Sequence, residues 1–167
     1  MAATIQSRTA MRTLAGASGN AAPLVGVLYA FGTVTGNAGA GEDTLASYSV
    51  PANTLSANLK ALRFTVFGTS VANANAKTVK LKFGAATFMT IALTAGSARD
   101  WIITGTVLRL TASVQHAWAQ GVEETVVNTV GTTIAEDLTT ALTAICTGEA
   151  VADNDITLYG FIIEILN

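Results

Sequence analysis

Histidine, cysteine and grouped carboxylates are where reaction chemistry would be sought first, and this chain of 167 residues has few of them. His116 is its single histidine and Cys146 its single cysteine. A hydrolytic triad needs a nucleophile, a histidine base and a carboxylate that orients it. No Gly-x-Ser-x-Gly turn accompanies His116, which lies between Gln115 and Ala117-Trp118. It reads as a surface or interface residue in a loop or at a strand end. Cys146 has no second cysteine for a disulfide and no companion for a metal set, so it reads as a buried, inert thiol. Carboxylates adjoin at Glu42-Asp43, Glu123-Glu124 and Glu136-Asp137. Neighbours along a strand point to opposite faces, which makes them poor acid–base pairs. Asp153-Asn154-Asp155 offers oxygens that calcium accepts, but it lacks the longer acidic spacing of an EF-hand and reads as an Asx turn. Gly36, Gly39 and Gly41 precede a strand rather than a helix, so they form a flexible turn and not a phosphate cradle. The expectation is a non-enzymatic chain with no catalytic residue, no cofactor and no metal.

Contact chemistry is better represented. Trp101 and Trp118 could stack on sugars or anchor an interface. Trp101 opens an apolar run and is expected partly in the core. Trp118 follows the histidine in an expected loop. With Asn73 and Asn75 from an Asn-rich turn, His116 and Trp118 make up the candidate contact loop.

Composition bounds what these residues can serve. Half of the chain is hydrophobic and only 12% is charged, against roughly 25% in an average globular protein. A monomer of this size normally needs more charge to cover its surface, so part of the surface is expected to pack against copies of the same chain. The net charge is −2, with no run of Lys or Arg, which argues against a nucleic-acid partner. Residues 13–41 carry no charge, but their apolar part, 24–34, is about half of the roughly 20 residues a membrane span requires. It is interrupted by Gly26 and Gly32 and reads as a buried strand. No membrane insertion is expected.

The elements that must position these residues are strands. Residues 1–23 differ from the rest, being rich in Ala, Thr, Ser and Gly, and read as an extended or loosely helical arm ordered by a neighbour. From residue 24 onward, strands are predicted at 25–35, 44–50, 62–71, 78–83, 87–94, 101–115, 122–130, 138–147 and 156–166, separated by Gly, Asn, Asp and Pro turns. Leu62, Phe64 and Val66 alternate with Arg63 and Thr65; Val79, Leu81 and Phe83 alternate with Lys80 and Lys82. The alternation also places Leu108 and Leu110 opposite Arg109 and Thr111. The first and last strands read as apolar on both faces: Ile156, Leu158 and Ile162 on one side of the last, Tyr159, Phe161, Ile163 and Ile165 on the other. A strand with two apolar faces needs a cover on its outside, either the amino-terminal arm or a second subunit. Tyr159, Phe161, Ile163, Ile165, Tyr29 and Phe31 are therefore the candidate oligomer interface, and Glu164 among them needs a partner or a wet edge.

Many short strands without intervening helices predict an antiparallel β-sandwich of jelly-roll type over residues 24–167, preceded by the arm. The first and last strands are expected side by side in the middle of one sheet. The runs Val66-Phe67-Gly68-Thr69, Asn73-Ala74-Asn75-Ala76-Lys77-Thr78-Val79-Lys80-Leu81-Lys82-Phe83-Gly84 and Trp101-Ile102-Ile103-Thr104-Gly105-Thr106-Val107-Leu108-Arg109, with the closing Asn154-Asp155-Ile156 … Ile165, resemble segments of tailed-phage virion proteins. The resemblance implies a small jelly roll, usually trimeric, used as a head decoration, head fibre or tail-fibre tip. It implies a virion location, other virion proteins as partners and no catalytic residues. The leading expectation is a homotrimeric component of the particle surface that docks through its arm on capsid or tail. The alternative is the tip domain of a tail fibre that binds a receptor or a host surface glycan.

Overall fold

The computed structural model describes residues 26–166; the expected arm, residues 1–23, lies outside them. The described residues form eleven strands: β1 (Gly26–Phe31), β2 (Thr35–Gly36), β3 (Gly41–Val50), β4 (Ala61–Ser70), β5 (Lys77–Phe83), β6 (Ala86–Leu93), β7 (Arg99–Thr111), β8 (Val114–Glu123), β9 (Val126–Ile134), β10 (Leu142–Ala150) and β11 (Ile156–Leu166). No helix of the described residues is long and apolar enough to cross a membrane.

Two antiparallel sheets result. The larger runs β1-β11-β4-β7-β8-β9, with β2 also on β11, and the smaller runs β3-β10-β5-β6. Without β2, β8 and β9, four strands remain in each sheet, and they pair as β1 with β11, β3 with β10, β4 with β7 and β5 with β6. Nested antiparallel pairs divided between two sheets are the order of a jelly roll. The β8–β9 hairpin is an addition that widens the larger sheet beyond β7. β1 does lie beside β11, as expected, but at the edge of its sheet and not in the middle.

Period-two patterning explains the core. Leu62, Phe64 and Val66 of β4 face Val79, Leu81 and Phe83 of β5 in one continuous buried cluster. Phe64 sits 6.0 Å from Phe83 and 5.6 Å from Phe88, ring centre to ring centre. Burial of each such ring contributes about 1.5–3 kcal/mol. Where facing side chains would collide, glycine makes room: a β-carbon on Gly105 would lie 2.8 Å from Phe88, and one on Gly121 would lie 2.2 Å from Ile91.

Three sequence readings need correction. The predicted strand 101–115 is two strands, reversing at Ala112-Ser113, a turn without Gly, Asn, Asp or Pro. His116 and Trp118 therefore lie within β8 and not in a loop. Along β7, Trp101, Ile103 and Val107 face the core, and by the same alternation Leu108 and Leu110 lie on the outside. Residues 122–130 likewise contain a reversal, with Glu124 at φ 48°. Most consequential is β11. Its pairing with β4 shifts between Leu158 and Gly160, so the inward alternation restarts one residue later. Ile156 and Leu158 before the bulge and Phe161, Ile163 and Ile165 after it all face the core. The strand has one apolar face, interrupted by a bulge, and not two.

Candidate interaction surface

The expected interface residues separate accordingly. Phe161, Ile163 and Ile165 are core residues, and only Tyr159 is open, at 43% exposure. Tyr29 and Phe31 are half-buried in an aromatic seam at the open side between β1 and β3, where Tyr29 stacks on Tyr48 at 4.5 Å and meets Phe161 edge-on at 5.9 Å. Burial, and then the nearby Tyr48, raise the Tyr29 phenol above its ordinary range.

The expected contact loop also divides. His116 and Trp118 lie on the outer face of β8, flanking Gly131 of β9: a β-carbon there would be 3.8 Å from both. Asn73 and Asn75 lie beyond the far end of β4 and are tied inward. Asn75 Nδ2 donates to Asp155 Oδ2 at 2.8 Å, and Asn73 Nδ2 donates to Asp155 Oδ1. The Ala152 N–H donates to the same carboxylate at 3.0 Å. Buried Lys77 donates to the carbonyls of Asn73 and Asn75. Burial raises the Asp155 pKa, but the hydrogen bonds from Asn75, Asn73 and backbone N–H groups outweigh it and the net shift is downward. These residues fasten the β4–β5 loop to the β10–β11 turn and offer little to a ligand.

The outer faces of the two sheets differ in kind. On the smaller sheet, Lys80 Nζ bridges Glu42 and Glu149 at 2.7 Å each, Lys82 also pairs with Glu42, and the Thr147 hydroxyl donates to Glu42 at 2.7 Å. Hydrogen bonds from Lys80, Lys82 and Thr147 hold the Glu42 carboxyl at about 2 against an ordinary 4.5. The folded-state value is depressed, so this stabilisation is complete above about pH 4.5 and is lost as pH falls through about 2. Urea midpoints should fall between pH 5 and pH 2, and Glu42→Gln should flatten that fall.

The larger sheet presents another surface. Cross-strand register aligns Phe67, Ile102, Val122 and Val127 in one row across β4, β7, β8 and β9. Phe67, Ile102 and Val127 are 38%, 37% and 53% exposed. Tyr159 stands beside the row at the β11 bulge, where the Phe67 ring lies over Gly160. The next row is Ile162, Thr65, Thr104, Gln120 and Thr129, and the one after is Glu164, Arg63, Thr106, Trp118 and Gly131. The charged residues of these rows, Arg63 and Glu164, neutralise one another at 2.8 Å, which supplies the partner that Glu164 needed. An open, nearly neutral sheet face with an apolar stripe is the kind of surface that marks an interaction site.

The groups capable of reaction chemistry are dispersed. Cys146 is buried, and burial pushes its thiol up to about 12. Among the described residues no three His, Cys, Asp or Glu side chains gather as a metal set. The pocket lined by Val50, Leu55, Phe83, Leu138 and Leu142 has a volume of about 10 Å³, room for a single water.

Alternation in 62–66 and 101–103 placed Phe67 and Ile102 opposite core residues, the signal by which sequence could have found the stripe. The rows themselves depend on β8 and β9 being separate strands.

No protein-family model matches the chain, and no curated protein matches it. Among solved structures it is similar to the VP2 subviral particle of infectious bursal disease virus, at 10% identity and a TM-score of 0.37, over 87% of this chain and 33% of that one. It is also similar to the CBM2 module of the evolved Dit of Lactobacillus casei BL23 phage J-1, at 8% identity and a TM-score of 0.37, over 71% of this chain and 67% of that one. The chain spans about a third of the length of the VP2 chain it matches, and its jelly-roll class rests on its own strand order.

Proposed function

We propose that this chain is a non-enzymatic structural protein of a tailed-phage virion, homotrimeric, packing copy against copy through the outer face of the larger sheet and docking on capsid or tail through residues 1–23. The observation that carries the reading is the contrast between the two outer faces. One is a solvated ion-pair network centred on Glu42 and Lys80. The other is a neutral surface crossed by Phe67, Ile102, Val122 and Val127. A chain with 12% charged residues gains most by covering the second and leaving the first in water. A density map of the virion tests this: the sandwich should stand on the particle with that face against neighbouring copies, and a map with the face open to solvent opposes it.

One observation favours a second reading, a tip domain that binds a host surface glycan. Trp118 is 46% exposed, with the hydrogen-bonding groups of Gln120 and Thr106 beside it, as a sugar-stacking platform requires. Glycan-array hits that disappear in Trp118→Ala would favour the tip; an array without hits favours the packing role.

A further inference from the structure

An edge strand exposes unpaired N–H and C=O groups, and proteins protect such edges with charge, proline, bulges or brevity. β1 is interrupted after Phe31, and its pairing with β11 shifts between Val27 and Tyr29. β3 carries Glu42 and Asp43, and its pairing with β10 shifts at Cys146. The pairing of β6 with β5 shifts at Leu81. β9 has none of these devices. It runs nine residues, Val126–Ile134, as VVNTVGTTI, without charge or proline. It pairs with β8 without a register shift. It ends its sheet, with no strand on its far side among the described residues. Val126 and Val127 at its start are 50% and 53% exposed.

We infer that β9 is a docking edge for a second copy of this chain, which pairs antiparallel with its own β9 about a two-fold axis at Val130. The strand suits itself as a partner. A two-fold contact sets the same neutral edge against itself, and its residue pairs are mutual. Val130 is the central residue, so Val126 falls opposite Ile134, Asn128 opposite Thr132 and Thr129 opposite Gly131 of the other copy. These pairs are mostly β-branched, which cross-strand packing favours, and none sets like charges together. The register keeps the outer face of each copy on the same side, so the neutral surface continues from one copy into the next. This contact goes beyond the trimer: where both form, trimers join in pairs.

Charge placed across the two-fold tests the register. Asn128→Lys with Thr132→Lys sets like charges opposite each other between copies; Asn128→Lys with Thr132→Glu sets opposite charges there. Residues 128 and 132 are too far apart along one strand to pair within a chain. By light scattering, the first double variant should have half the particle mass of the wild type, and the second should recover it. An unchanged mass in the first variant, or no recovery in the second, overturns the proposal. Val130→Cys is the independent check, because the native Cys146 is buried: mild oxidation should give a covalent dimer, and its absence counts against the two-fold. The mass of the halved species reports separately on the trimer. Three chains agree with it, and one chain removes it while the β9 pairing stands.

Discussion

Gly68→Val abolishes the folded sandwich. A β-carbon on Gly68 would lie 2.0 Å from the Thr157 carbonyl oxygen and 2.7 Å from the Trp101 ring. The first obstacle is backbone in the neighbouring strand, so no side-chain rotation relieves it. β11 would have to move off β4, against which it pairs from Ile156 to Leu166. β11 also supplies Leu158, Phe161 and Ile163 to the core. Overpacking alone costs about 1–3 kcal/mol, and separating the two central strands adds the loss of their hydrogen bonds and part of the core. That exceeds what a domain with a total stability of about 5–15 kcal/mol readily absorbs. The expected result is insoluble protein, or soluble protein whose Trp101 fluorescence is that of an exposed indole. Gly131→Ala is the control: space there is open to 3.8 Å, and the variant should melt within a few degrees of the wild type.

Asp155→Ala should cost about 3 kcal/mol. The Asp155 carboxylate is 1% exposed and accepts from Asn73, Asn75 and the backbone of Ala152. Removing it strands three donors in a place water reaches poorly, and each unsatisfied buried group costs about 1–3 kcal/mol. Nearby, Asn37 fixes the same turn from the other side, donating to the Ala152 carbonyl at 2.8 Å and accepting from the Ile156 N–H at 2.9 Å. Part of the turn therefore survives, which keeps the cost below the sum of the lost bonds. Urea unfolding at neutral pH measures it. Asp155→Asn should fall between, because its amide restores one acceptor but faces donors with a donor.

The class of fold was legible because alternation in 62–66 and 79–83 is strict and strand-forming residues dominate. Two things were not legible. The Ala112-Ser113 reversal has no turn residues, and its flanks, Thr111 and Val114, continue a strand pattern without a break; tertiary pairing with β4 decides where the chain turns. The β11 bulge is similarly silent. Strict alternation through Tyr159 and Gly160 assigns Phe161, Ile163 and Ile165 to an outer face, whereas one extra residue brings them into the core. An interface was thus anticipated from an apolar excess, but half of its residues, Phe161, Ile163 and Ile165, fill the sandwich. On the outer face of the larger sheet, the apolar residues that reach the surface include Phe67, Ile102 and Val127, from three other strands. The Asn73 and Asn75 pair shows the reverse error, in which residues suited to a ligand are spent on a loop.

If copies pack through the outer face of the larger sheet, as proposed, the contact shows in the solution mass of the chain measured beside Phe67→Asp/Ile102→Asp. Both side chains are about 40% exposed and outside the core, so the double variant should keep the β-sheet circular dichroism and the cooperative melting of a folded chain. Its particle mass, by light scattering, should be one third that of the wild type. A variant that melts normally and keeps the wild-type mass would contradict it.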